Sequence, residues 1–139
     1  MSINQILDIA STGMAAQRLR VQLIAANVAN SETTRTKEGG PYRRRDAVFQ
    51  SQDMGFSGAL SSAGVKIASI QTSQEPFLTR YEPSHPDANA EGVVNYPNIN
   101  PVEEMVNLTS ASRSYEANIA VVRTAKAMAS SALDILRVQ

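Results

Sequence analysis

Four stretches of this chain carry side chains that could do chemistry. The first, Asp87-Ala88-Asn89-Ala90-Glu91-Gly92, imitates the opening of a calcium loop, with oxygen-bearing side chains at positions 1, 3 and 5 and glycine at 6. Its twelfth position is Asn98, where a complete loop needs a bidentate Glu, and Pro83, Pro86 and Pro97 work against flanking helices. A tight turn shaped by Asp, Asn and Gly explains the same residues, so no metal ligand and no cofactor is assigned here. The second is His85, the single histidine, held between two prolines just before Asp87. A His–Asp pair becomes catalytic only beside a nucleophile, and no nucleophile motif is present, so the expectation is a loop-fixing role. The third is Glu103-Glu104, the adjacent carboxylate pair a glycan hydrolase would need to face a pocket; Glu103 is better explained as a helix-capping residue. No catalytic residue is assigned. The fourth is Arg43-Arg44-Arg45. Thirteen Lys and Arg balance thirteen Asp and Glu. A chain without positive excess lacks the phosphate neutralisation that supplies most nucleic-acid affinity, so these arginines are expected on a solvated face or against a neighbouring subunit, with no nucleic-acid partner.

The elements around these stretches are more telling. From residue 2 to 29, Ile3, Leu7, Ala10, Met14, Gln17, Val21, Ile24 and Val28 alternate spacings of four and three, an a/d heptad seam. Ser2 and Gln5 fit a capping box at its start. A second small or apolar stripe, Ile6, Ile9, Gly13, Ala16, Arg20 and Leu23, runs beside it. At the other end, Asn100-Pro101-Val102-Glu103 reads as N-cap, N1 proline and a Glu reaching back to the cap. Met105, Leu108, Ser112, Tyr115, Ile119, Val122, Lys126, Ala129, Leu133 and Leu136 then form a second seam, with Val106, Ala117, Val121, Thr124, Met128 and Ile135 beside it. Helices of these lengths reach about 40 and 55 Å at 1.5 Å per residue. A simple helical hairpin in a globular domain fits the seams alone. The doubled stripes favour a coiled coil of the two ends whose outer faces bind other copies, because one chain cannot bury them all.

Residues 31–99 differ in kind, holding five of the six prolines and most glycines. Strand-like runs appear at 47–49, 65–70, 77–81 and 93–96, separated by turn signals at 39–41, 55–64 and 82–84. The predicted fold class is therefore α+β: long N- and C-terminal helices paired as a coiled coil, with a small irregular β-rich middle. The expected divisions are residues 1–30, 31–99 and 100–139. No cysteine is present, which excludes disulfides and thiol chemistry. No stretch has the length of a membrane span, and Arg18 and Arg20 give the first helix too little positive charge for a membrane-surface role, so direct membrane insertion is not expected. The start lacks a basic region and a continuous apolar core, so export would proceed without a cleaved leader.

The run PSHPDANAEGVVNYPNINPVEEMVNLTSASRSYEANIAVVRTAKAMASSALDIL and the run LIAANVANSETTRTKEGGPYRRR together resemble proximal-rod members of the rod and hook axial protein family of the bacterial flagellum. The resemblance covers nearly the whole chain and is poorest over residues 50–75. The family motif, an Asn-x-x-Asn leading into a Thr-rich turn, falls on Asn27, Asn30, Thr33 and Thr34. Ser31-Glu32 departs from the usual small or amide residues, and Arg35-Thr36 replaces the Gly-Tyr of the broader family, as proximal-rod members do. The resemblance implies a structural subunit of the basal body, not an enzyme, carrying torque across the periplasm. It implies terminal helices in an inner tube with the β region outside, and unfolded passage through the flagellar type III export apparatus. The implied partners are other rod proteins and further copies of the chain in a helical assembly. Assembly contacts are then expected from Ile3, Leu7, Met14, Val21, Ile24, Val28, Met105, Leu108, Tyr115, Ile119, Val122, Leu133 and Leu136. Asn27 and Asn30 would mark the helix exit, through their tolerance of left-handed backbone and through side chains that can bond nearby backbone groups. The alternatives are another periplasmic axial or adaptor protein, or a calcium-binding module.

Overall fold

Ser2 opens the first helix as the sequence requires: its hydroxyl accepts from the Gln5 N–H, and the Gln5 side chain accepts from the Ser2 N–H. The computed structural model describes residues 2–53 and 63–137. Within them the order is α1 (Ile3–Ala29), β1 (Arg45–Asp53), β2 (Ala63–Thr72), β3 (Leu78–Tyr81), β4 (Val93–Tyr96) and α2 (Pro101–Arg137). The fold is α+β, with two helices and two small antiparallel sheets. Most of the turn expected at 55–64 lies outside the described residues.

α1 ends on Asn30, whose side-chain N–H group and backbone N–H both reach the Ala26 carbonyl. Ser31 then bonds the Val28 carbonyl through both hydroxyl and amide. Two of the carbonyls at the helix end are satisfied in this way, each twice. The left-handed exit expected of these asparagines is absent: Asn30 has φ −106°, and Asn27 lies inside the helix. Hydrogen bonds from side chains cap this end, so no left-handed residue is needed. α2 begins with Pro101 at its first position and Asn100 Oδ1 accepting from the Val102 N–H. Among the described hydrogen bonds none joins Glu103 to the cap.

The helices pack antiparallel. Asn27 on α1 meets Glu104 on α2, and Gly13 faces Asn118. Fourteen residues back along α1 therefore match fourteen forward along α2, two whole heptads. The approach is close, since a Cβ on Gly13 would stand 3.0 Å from Asn118 Nδ2. Small residues permit it: Ala10, Ala16, Ala111 and Ala125 are all buried. The last turns of α2, from about residue 129, extend beyond the start of α1 at 1.5 Å rise per residue.

β1 and β2 form a long hairpin with a one-residue irregularity at Val48/Phe49, where Ala68 is left over in the ladder. The hairpin packs along α1, and the Val65 N–H donates to Thr12 Oγ1 at 3.1 Å. β3 and β4 form a second, shorter pair. It is tied to the remainder through the loop after α1. Thr34 Oγ1 donates to Asp87 Oδ2 at 2.8 Å, and the Arg43 guanidinium lies 4.3 Å from the centre of the Phe77 ring. Val94, Tyr96, Pro97, Ile99 and Tyr42 are buried in this half of the chain.

Candidate functional site

A buried polar knot joins the two helices to the start of β1. Asn27 is fully buried and uses all its hydrogen-bonding capacity. Its Nδ2 donates to the Arg45 carbonyl at 2.9 Å and to Glu104 Oε2 at 3.1 Å. Its Oδ1 accepts from the Arg45 N–H at 3.0 Å and from the Tyr42 hydroxyl at 3.1 Å. Glu104, only 2% exposed, presents its other oxygen to Arg44 Nε at 3.0 Å. That approach is a charge contact without hydrogen-bond alignment. Arg44 also reaches Asp46 at 3.4 Å. An Asn in an apolar helix is costly unless every group is paired, and here β1 supplies two of the four partners from its backbone.

Arg43 and Arg44 are thus tied into their own chain, whereas Arg45 is exposed and joins the knot through its backbone. Arg43 stacks on Phe77 and donates to the Ser73 carbonyl at 3.0 Å; Arg45 lies 5.3 Å from the Tyr42 ring centre. The expectation of a face turned to solvent or to a neighbour is corrected for Arg44, which serves the buried carboxylate.

The oxygen-rich loop is engaged with its own chain. Asn89 Oδ1 accepts from the N–H groups of Glu91 and Val93, while Asp87 is bonded by Thr34 and lies 3.7 Å from Arg35. Gly92 has φ +75°, and a Cβ there would stand 3.0 Å from Tyr81 and 3.1 Å from Pro83, so glycine is required by both conformation and space. His85 accepts the Asp87 N–H on Nδ1 and meets Tyr96 edge-on. Tyr96 donates to Glu82 at 2.9 Å. That carboxylate, with burial adding, holds the phenol above its ordinary value of 10.0.

The remaining motif residues close the turn after α1: Thr33 Oγ1 donates to Asn30 Oδ1 at 3.1 Å, and the Thr33 carbonyl accepts from the Tyr42 N–H. Of the seam residues, Ile24 is buried, and Leu7, Met14, Val21, Val28, Leu108, Tyr115, Ile119 and Val122 are half-buried. Ile3, Met105 and Leu133 are exposed, and the side chain of Leu136 lies outside the described residues. The face that α2 turns inward is displaced from the expected one: Glu104, Ala111 and Ala125 are buried where Met105, Ser112 and Lys126 were expected to lead. Sequence patterning missed Glu104 because a charged residue breaks an apolar template. The only available signal was its place one heptad before Ala111.

Residues 7–37 match the family described as Flagella basal body rod protein, and residues 90–135 match Flagellar basal body rod FlgEFG protein C-terminal. The flagellar basal-body rod protein FlgC of Borreliella burgdorferi is 40% identical, covering 99% of both chains. FlgC of Bacillus subtilis is 40% identical over 93% of this chain and 95% of its own. FlgC of Salmonella typhimurium is 44% identical over 92% and 93%. The chain belongs to the FlgC family of flagellar rod proteins. Asn27 and Glu104 fall in the two separate matched segments, so the knot joins the parts of the chain that carry FlgC family character. Among the described residues no helix is long and apolar enough to cross a membrane.

Proposed function

We propose that this chain is a structural subunit of the bacterial flagellar basal body, assembling with other axial proteins and with its own copies into the proximal rod that transmits torque across the periplasm. The full-length similarity to FlgC proteins supports a structural rod role and not an enzymatic one. The proposal extends this to unfolded export through the flagellar type III apparatus. In it, α1 and α2 pair as a coiled coil in the inner tube, and the two sheets lie outside. The assembly contacts include the half-buried and exposed seam residues, among them Ile3, Met105 and Leu133.

One observation carries the reading. α2 turns Val102, Val106, Val121 and Met128 outward, with exposures of 69, 65, 45 and 64%. A row of large apolar side chains along a helix that already has one partner is surface made for others. Val106→Asp/Met128→Asp places two carboxylates on that row without touching the α1 contact. The variant should remain helical and be exported, yet be missing from isolated basal bodies, and cells should not swim in soft agar. Normal rods built from this variant would overturn the proposal. Ile24→Asp, on the inner side, should also stop motility, but with loss of the folded helix pair.

A further inference from the structure

The α1–α2 contact has an alignment problem. Its close-packed positions are small on both helices: Ala10, Gly13 and Ala16 on α1, and Ala111 and Ala125 on α2. Moving one helix past the other by a heptad still leaves Gly13 opposite a residue it can accept. Gly13 would then face Ala111 or Ala125 in place of Asn118, and neither alanine is larger than the group it replaces. Packing alone discriminates poorly among these alignments. The polar groups discriminate well. In the observed register Asn27 finds Glu104, and Arg44 finds the same carboxylate at 3.0 Å. One heptad away Asn27 faces Ala111, one of its buried N–H groups loses its acceptor, and the Arg44 guanidinium keeps only Asp46 as a counter-ion.

We propose that Asn27, Glu104 and Arg44 form a register pin that selects one of several heptad-related alignments of the two helices and so fixes how far α2 projects beyond α1. Buried polar pairs contribute alignment more dependably than stability, because their desolvation offsets much of their attraction. Asn27 and Arg44 move together in any slip, since Asn27 is bound to the Arg45 backbone on both sides. The glutamate is the only member on the sliding partner, so its position along α2 is the variable that sets the register. The competing restraint is the connection through buried Tyr96, Pro97 and Ile99 into α2.

The chain has no cysteine, so engineered pairs report cleanly. Gly13→Cys is combined separately with Asn118→Cys, Ala111→Cys and Ala125→Cys, and each purified full-length chain is oxidised with diamide and scored for intramolecular disulfide. With the pin intact, the 13/118 pair should close and the others should not. Relocating the pin by Glu104→Ala/Ala111→Glu should bring Glu at 111 to Asn27 and Gly13 to Ala125. The 13/125 disulfide should then rise by roughly tenfold or more, the change expected when a buried donor gains or loses its acceptor. Removing the pin by Asn27→Leu/Glu104→Leu should yield a mixture of registers. Retention of the 13/118 pairing alone in both backgrounds would assign the register to the Tyr96–Ile99 connection and overturn the proposal. Loss of helical circular dichroism in the relocated variant would also count against it, because a movable pin must leave a folded alternative. Every readout is on the isolated chain, so the rod role stands or falls separately.

Discussion

Asn27 shows what a single residue can do when all its bonds lie inside. Asn27→Ala would leave the Arg45 N–H and carbonyl, the Tyr42 hydroxyl and a Glu104 oxygen without their partner. Such buried losses cost about 1–3 kcal/mol each in isolation, and partial relaxation should bring the total to about 3 kcal/mol, read as a lower urea midpoint at unchanged slope. Arg44→Ala should be about as severe, because it strands a carboxylate that is 2% exposed; breaking a buried pair costs about 3–5 kcal/mol, and the partial exposure of Arg44 puts this one at the low end. Arg44→Lys should recover little, as a point charge cannot reproduce the guanidinium's reach to both Glu104 and Asp46. Tyr96 gives a pH signature. Its phenol is raised above 10.0 by the Glu82 hydrogen bond, so the neutral form is favoured in the folded state. Its stabilising contribution is present below pH 10 and is lost as pH rises through the raised value. Phenolate absorbance should show one tyrosine titrating late, and Glu82→Ala should return it towards the ordinary range. At this scale the sequence was half legible. Asn27 stood out as a polar residue in an apolar helix, but its partners come from 15, 18 and 77 residues away, and no local pattern encodes them.

At the scale of elements, the helices and strands were legible because periodicity and punctuation agree. The expected runs at 47–49, 65–70 and 93–96 fall on strands, as does 77–81 apart from Phe77, and the Ser2–Gln5 and Asn100-Pro101 signals begin the helices. The inward face of α2 was less legible. Two stripes compete on that helix, and an apolar template favours Met105 and Ile119 over Glu104 and Asn118. The structure turns the smaller, more polar stripe inward because α1 offers Gly13 and alanines, which accept close neighbours but give large side chains nothing to fill. Gly13 tests this. Gly13→Ala gains helix propensity of about 1 kcal/mol but pushes on the flexible end of Asn118, so the two effects should nearly cancel. Gly13→Leu cannot be absorbed and should destabilise by about 1–3 kcal/mol, with a smaller change in Gly13→Leu/Asn118→Ala, where space is returned.

For the whole molecule, the arrangement follows from which surfaces each chain can cover by itself. The hairpin covers one side of α1 and α2 covers another, whereas among the described residues the far side of α2 has no cover. The doubled stripes in the sequence predict uncovered apolar surface on both helices; they do not say that the hairpin packs on α1. Hydrogen exchange on the free chain should be slowest where α1 and α2 overlap, at residues 10–29 and 101–125. It should be fastest at residues 129–137, and uniform protection along α2 would contradict the register described above. The projecting end of α2 also has a mechanical meaning. Stiffness against bending grows steeply with the thickness of a beam, so the paired stretch resists deflection and the lone turns beyond it do not. Of the described helical residues in the free subunit, those at that end bend most readily. A newly arrived subunit would therefore meet its neighbours with a stiff shaft and a pliant tip, and the tip would stiffen only once their helices have closed around it.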